Sequence, residues 1–319
     1  MYISLMNGGL GNQAFQYIFT RYLEEATKTD VFVDDSYFLL RKGEQALNSA
    51  GADDSWGHNG YEMEYVFPNS KKLMLLSEFF EEDVWEYMVS NMKDNNVSIA
   101  QQLLDNGIDL TMVVEGPDSS TEGFMGTRLL TPGSSFNSSI IRVPENTYFH
   151  GYWINPGWLN AYRDIIKKEL AFKPIEDLRN RQYEREIRGN FAIGEHIRRG
   201  DFVKVGWALP ESYYYEANKK LIEVCPDGMF FVFSDDIGWC KENAEPLGLP
   251  QNTVFVEGNY DHKNNYIDMQ LMAMCNVLVV GSSSFSFLAS LLNETPGFLP
   301  VQLRNPSLED IARIPMPFS

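Results

Sequence analysis

The sequence predicts an α/β protein built from two doubly wound parallel sheets. Three observations carry that prediction. Short apolar runs alternate with helical periodicities in both halves of the chain. One run, Met229-Phe-Phe-Val-Phe233, is apolar at every position, the pattern of a parallel strand covered on both faces. The length of 319 residues exceeds what one core usually organises. Pro174 breaks a helical pattern, so the boundary is set there, with domains over 1–172 and 173–319.

Composition narrows the function. The chain is 44% hydrophobic and 22% charged, as in water-soluble globular proteins. The formal charge of −18 disfavours nucleic acid, whose backbone selects basic surfaces. An anionic ligand then needs a local basic pocket working against the overall field. The aromatic content of 13% suits either a carbohydrate-handling surface or a large aromatic core. Cys225, Cys240 and Cys275 form no C-x-x-C pair and read as reduced thiols. The first residues lack a basic, apolar leader, and no apolar run is long enough to span a bilayer. The expectation is a bacterial cytoplasmic protein with possible peripheral membrane association.

Taken in order, Tyr2 to Leu5 is a strand, followed by the turn Met6-Asn-Gly-Gly-Leu-Gly-Asn-Gln13. Phe15, Ile18, Phe19, Tyr22, Leu23 and Ala26 then keep helical spacing. Val31–Val33 is the next strand. Residues 40–146 are the least readable. Frequent Gly, Asn, Ser and Asp over 43–60 predict a long loop; helices are expected near Phe79–Met92 and Ser98–Leu104, and loops over 116–123 and 132–135. Thr147–Trp153 reads as a strand, and Trp158, Tyr162, Ile165, Ile166 and Leu170 as a helix. Leu178–Arg188 is a charged helix. After the strand at 191–198, a loop carries Val203–Pro210, and Glu211–Val224 is a helix. The strand at Met229 is followed by a helix bearing Trp239 and Cys240. Thr253–Val256 is a strand, Ile267, Leu271 and Met274 mark a helix, Val277–Val280 is a strand, and a helix runs from the serine turn through Leu292. Phe298–Leu303 is the last strand, and 307–312 is expected to pack on the first domain.

The chemistry centres on Asn190-Phe-Ala-Ile-Gly-Glu-His-Ile-Arg-Arg-Gly-Asp201. Alternation puts Phe191, Ile193, Glu195 and Ile197 on one face and Ala192, Gly194, His196 and Arg198 on the other. His196 and Arg198 thus emerge together, beside small residues that leave room for a ligand. Arg199 points away, toward Asp201 or Glu195. A guanidinium at a strand's carboxyl end suits a phosphate or pyrophosphate; an Arg–Asp pair closing a surface turn is the plainer reading. Open α/β sheets bind ligands at such ends. Ser234, Asp235 and Asp236 and the turn Gly281-Ser282-Ser283-Ser284-Phe285-Ser286 stand at two more. The serines resemble a phosphate nest or, equally, an N-cap. Asp235, Asp236 and Asp268 read as helix caps or, for Asp268, as an acceptor of purine N–H donors. No D-x-D pair and no metal-ligand spacing occurs, so no metal or other cofactor is expected.

These stretches resemble the bacterial α-1,2-fucosyltransferases, inverting enzymes of glycosyltransferase family 11. The resemblance rests on Gly8-Gly-Leu-Gly-Asn-Gln-Ala-Phe-Gln16, Gly151-Tyr-Trp153, His196–Asp201, Phe233-Ser-Asp-Asp-Ile237 with Trp239, Asp268-Met-Gln-Leu-Met272 with Cys275, and Ser283-Ser-Phe-Ser286. It implies a GT-B arrangement, two Rossmann-like domains facing across a cleft, with the first on the acceptor side and the second holding GDP-fucose. It further implies metal-independent transfer of L-fucose, with inversion, to a galactose-containing oligosaccharide. In those terms Arg198 grips the β-phosphate, Asp268 reads guanine and Asn12 lies near the sugar. Arg198, His196 and Asn12 are the catalytic candidates. The donor set is Arg198, His196, Asp268, Ser234, Asp235, Ser282, Ser283, Ser284, Gly11 and Asn12. His150, Glu195, Asp201 and His196 are candidate bases. Relatives usually carry two tryptophans where this chain has Phe287 and Leu288.

Other classes compete. Gly9, Gly11 and Ala14 satisfy G-x-G-x-x-A, with Asp34 placed for a ribose, as in an NAD(P)-dependent oxidoreductase. A non-catalytic nucleotide-sugar-binding protein of the same fold, or a transferase making an α-1,6 or protein-O linkage, are the remaining alternatives.

Overall fold

A computed structural model describes residues 1–39, 60–116, 121–131, 142–154, 159–259 and 264–302. The chain divides into two compact units, Met1–Ala171 and Phe172–Ser319. The predicted loop over 43–59, the loop at 132–135 and the tail at 307–312 lie outside the described residues.

In the first unit the elements run β1 (Tyr2–Leu5), α1 (Leu10–Thr27), β2 (Val31–Asp34), α2 (Met63–Val66), β3 (Met74–Leu75), α3 (Leu76–Phe79), α4 (Glu82–Asn95), α5 (Ile99–Asp105), β4 (Thr111–Glu115), β5 (Thr127–Thr131), β6 (Thr147–His150) and α6 (Leu159–Glu169). The strands form one parallel sheet in the order β3-β2-β1-β6-β4-β5. Chain direction away from β1 reverses between β1 and β6. That crevice is the topological switch point, where such sheets take ligands. α1 forms because its apolar residues recur at helical spacing and bury Phe15, Ile18, Phe19 and Leu23. α5 starts where Ser98 accepts the Gln101 N–H at 3.1 Å.

The second unit runs α7 (Leu178–Gly189), β7 (Ala192–Ile197), α8 (Gly200–Val205), α9 (Glu211–Val224), β8 (Met229–Ser234), α10 (Ile237–Glu242), β9 (Val254–Phe255), α11 (Asn265–Met272), β10 (Val277–Val279), α12 (Ser284–Leu291) and β11 (Leu299–Val301). Its parallel sheet has the order β11-β10-β7-β8-β9. β7 is central, and the switch point lies between β7 and β10. Phe230 to Phe233 are all buried, as a strand covered on both faces requires. One covering layer joins Ile193, Ile197, Tyr213, Tyr214, Leu221 and Ile237 in a single core.

Several elements differ from the sequence reading. β4 and β5 fall where no strand is expected, because β5 is an edge strand with Leu129 and Leu130 exposed and no clean alternation. Residues 200–205 form a helix turn rather than a loop, ended by Gly206 at φ 74°. β6 stops at His150 instead of Trp153. The Glu115 carboxylate accepts the Tyr152 and Trp153 N–H groups at 2.9 and 2.7 Å, and Trp153 takes φ 59°. A Cβ on Gly151 would lie 2.5 Å from Glu115 Cβ, which explains glycine at that turn.

Candidate active site

β7 delivers the organising turn. His196 and Ile197 pair with Phe233 and Ser234 on β8, so the carboxyl ends of the two strands stand level. On the other side Gly281, just beyond β10, lies close to the His196 carbonyl. His196, Arg198, Ser234, Asp235 and the Ser282–Ser284 turn are therefore gathered at one edge of one sheet. α11 starts at that edge, with Asp268 in its first turn, and runs back toward the amino ends of the strands. Gly11 and Asn12 sit in the first turn of α1, in the other unit, with Gly11 buried and Asn12 half-buried.

Arg198 is held by two carboxylates. Its Nη2 donates to Asp201 Oδ1 at 2.6 Å and its Nη1 pairs with Asp235 Oδ2 at 2.8 Å. About a third of the side chain stays exposed, so the guanidinium is fixed in orientation yet open on one side. Asp235 also accepts the Arg199 N–H at 2.8 Å. A Cβ on Gly200 would lie 2.5 Å from Asp235 Oδ2, so glycine lets this carboxylate reach under the turn. Asp235 is thus a support for both arginines rather than a direct ligand for an anion, which its charge would repel.

Arg199 points away from Arg198, as alternation requires, but its partners are neither Asp201 nor Glu195. Asp201 is taken by Arg198 and Glu195 faces the core. Arg199 instead stacks on Trp239, 3.4 Å from its guanidinium carbon to the ring centre, and donates to Asp236 at 3.2 Å. Asp236 also caps α10 by accepting the Trp239 N–H. Arg199→Ala is therefore expected to lower stability by ~1–2 kcal/mol through the lost cation–π and ion-pair contacts. Urea unfolding checks this, and an unchanged midpoint would contradict the stack's contribution.

The space expected beside Gly194 is absent. A Cβ there would meet Cys275 Sγ and Leu278 Cδ1, both at 3.0 Å, so the glycine admits β10 and the turn that leads into it, and not a ligand. His196 is buried, and its Nδ1 finds no hydrogen-bond partner among the described residues. Burial and then the Arg198 charge push its pKa down to about 3. The ring is neutral near pH 7 and too weak a base to take a proton readily. Glu195 is fully buried among the core residues beneath α9, hydrogen-bonded by Asn218, and burial pushes its pKa up to about 8. Neither its position nor its environment suits a base acting on a bound substrate.

The serines divide their work. Ser283 caps α12 by accepting the Phe285 N–H at 3.2 Å, Ser282 donates to the Trp207 carbonyl at 3.2 Å, and Ser234 accepts the Asp236 N–H at 3.0 Å. Phe287 and Leu288 are fully buried in α12 and serve packing. Asp268 is half-buried and accepts from Asn259 Nδ2 at 2.6 Å; burial pushes its pKa up to about 7, opposed by the Asn259 bond and the Arg179 charge.

In the first unit, Gln13 and Gln16 act as ties that sequence reasoning passed over. Gln13 holds the Gly8 and Gly60 carbonyls and the Glu62 N–H. Gln16 joins Asn7 to the Gly151 carbonyl, bridging the two strands of the switch point. Their signal was the glutamine spacing itself, since buried amides must find partners. Asp34 is buried with Tyr148 Oη donating to it at 2.6 Å and the Ser36 N–H at 3.0 Å. Its carboxylate is committed to the core, which removes the ribose-binding acid that a dinucleotide site needs. His150 ends β6, half-buried at the same edge.

Two doubly wound sheets in one chain, the second with a fixed arginine at its switch point, define a two-domain α/β protein with a switch-point site. The sequence pattern of the family described as Glycosyl transferase family 11 matches residues 130–311, more than half of the chain, and the protein belongs to that family. An α-1,2-colitosyltransferase of Escherichia coli is 32% identical over 147 residues, covering 44% of this chain and 49% of that protein's length. The O-antigen biosynthesis glycosyltransferase WbnK of Escherichia coli is 25% identical over 91% of this chain and 89% of its own. Galactoside α-(1,2)-fucosyltransferase 1 of Saimiri sciureus is 28% identical over 106 residues, 31% of this chain and 28% of that one. Among the described residues, no helix is long and apolar enough to cross a membrane.

Proposed function

We propose that the protein transfers L-fucose from GDP-fucose to a galactoside hydroxyl with inversion, forming an α-1,2 linkage without a metal ion or other cofactor. The observation that carries this reading is Arg198, clamped by Asp201 and Asp235 at the switch point of the second sheet, inside the segment that matches the family. The names of two relatives, an α-1,2-colitosyltransferase and a galactoside α-(1,2)-fucosyltransferase, support the linkage and the acceptor class. In this reading the acceptor oxygen attacks C1 of fucose as the C1–O bond to GDP breaks. Arg198 and the Ser282–Ser284 turn meet the charge developing on the departing diphosphate. Asp268 accepts N–H donors of the base. A loose transition state with oxocarbenium character lowers the demand for a strong base, in keeping with the neutral His196 ring. Metal independence is proposed from the missing D-x-D pair in the sequence.

Incubation with GDP-fucose and lactose in EDTA, followed by mass spectrometry and linkage analysis, tests the reading. An α-1,2-fucosylated product is expected. A different linkage would overturn the regiochemistry, and loss of transfer in EDTA would overturn metal independence. Intact GDP-fucose together with no calorimetric binding of GDP would overturn the donor. The colitosyltransferase match favours a second donor, since colitose is fucose without its 3-hydroxyl; competition between the two GDP-sugars ranks them.

A further inference from the structure

We infer that Asn259, clamped by Asn180, is a positioning residue that keeps Asp268 a hydrogen-bond acceptor and so makes the donor site choose guanine over adenine. The inference rests on the donor reading above and adds a specificity device to it.

The geometry is a one-way relay of amides. Asp177 caps α7 by accepting the Asn180 N–H at 2.9 Å, and its second oxygen accepts from Asn180 Nδ2 at 3.0 Å. The Asn180 and Asn259 amides then bond reciprocally, Nδ2 of Asn180 to Oδ1 of Asn259 at 2.8 Å and Nδ2 of Asn259 to Oδ1 of Asn180 at 3.0 Å. The second proton of Asn259 Nδ2 goes to Asp268 Oδ1 at 2.6 Å. Both asparagines are buried, at 1% and 3% exposure, so solvent offers no substitute partner.

Each amide nitrogen has two protons, and both are spent. An ionised carboxylate only accepts, so Asp177 fixes which way Asn180 faces. That orientation fixes Asn259, and Asn259 presents a donor to Asp268. A donor favours the carboxylate form over the carboxylic acid, countering the burial that would protonate it. The distinction decides the base. Guanine presents two adjacent donors, N1–H and the 2-amino group, which pair with a carboxylate. Adenine presents an acceptor beside a donor and pairs with a protonated acid instead.

The relay also stands in the right place. α7 and α11 both begin at the carboxyl edge of the second sheet, and Asn259 lies in the segment after β9. Asn180, at the near end of the relay, lines a surface pocket of about 360 Å³ with Asp177, Leu178, Arg179 and Asn264. Arg179 donates to the Gly258 carbonyl at 2.6 Å, and Gly258 at φ 87° has no room for a side chain beneath that guanidinium. The segment is thus pinned immediately before Asn259.

Calorimetric titration of the full chain with GDP and with ADP tests the inference in the wild type, Asn259→Ala and Asn180→Ala. The wild type is expected to prefer GDP. Asn259→Ala is expected to lower the GDP-over-ADP ratio by about tenfold, equivalent to ~1.4 kcal/mol. Its donor KM rises while kcat at saturating donor holds. Asn180→Ala, which leaves the Asn259–Asp268 bond available, moves the ratio the same way by less, and decides the matter if Asn259→Ala does not fold. A folded variant whose ratio equals the wild type's would overturn the relay. A wild type that binds neither nucleotide would instead overturn the donor reading itself.

Discussion

Arg198→Lys is expected to reduce fucosyl transfer by ~100-fold or more while leaving the fold intact. The arginine places two nitrogens on two carboxylates, Asp201 and Asp235, and keeps about a third of its surface open. A planar fork does both tasks at once. An ammonium is a single point of charge on a flexible stem, and the same two acids would draw it away from a diphosphate. The interaction to be lost grows as charge moves onto the leaving group, so the deficit belongs mainly in kcat. Stability should fall by only ~1 kcal/mol, because a partly exposed ion pair is screened. Initial rates at saturating donor, with thermal melts alongside, check the expectation. Retention of more than about a tenth of the activity would show that the bidentate geometry is not required. The contrast with Arg199 sharpens the test: adjacent arginines should separate, one losing turnover and the other losing stability.

Glu195→Gln is expected to stabilise the protein, most visibly at pH 8. Glu195 is a fully buried carboxyl whose pKa is pushed up to about 8 from an ordinary 4.5 by burial, with the Asn218 amide pulling it back. The sign follows from proton uptake. Above pH 4.5 the unfolded chain gives up this proton while the folded chain keeps it until about pH 8. Stability from this group is therefore complete below about pH 4.5 and is lost as pH rises toward 8, by at most ~1.4 kcal/mol per unit. Glutamine is uncharged in both states and removes that slope. A rise in Tm of roughly 5 °C at pH 8, shrinking toward pH 5, is the expected result. A variant with the wild-type pH slope would show that Glu195 does not carry the proton linkage.

Much of the architecture was legible because its signals are local. The apolar spacing from Phe15 to Ala26 needs only its own helix to be read, and α1 spans Leu10–Thr27. The unbroken run at Met229–Phe233 announces burial on both faces, and β8 has it. Alternation in 191–198 separated Glu195 from His196 and Arg198, and the core places Glu195 accordingly. β4 escaped notice because its apolar run, Met112 to Val114, is only three residues long, and β5 because an edge strand with exposed leucines shows no clean alternation.

The sequence by itself determined that strands and helices alternate through both halves, which turns stand at strand ends, and that a basic pair shares one of those turns with glycine. Period-two and period-3.6 patterns record such facts within a few residues. Only the tertiary structure decided the partners. Arg198 meets Asp235 and not merely its neighbour Asp201, and Arg199 finds Trp239, because β7 and β8 lie side by side in the sheet. Gly194 makes room for Cys275 and Leu278 because β10 arrives on the other flank of β7. The Asn180–Asn259 pair joins residues 79 positions apart. Strand order sets all of these meetings, and strand order is a property of the closed core that no local spacing encodes.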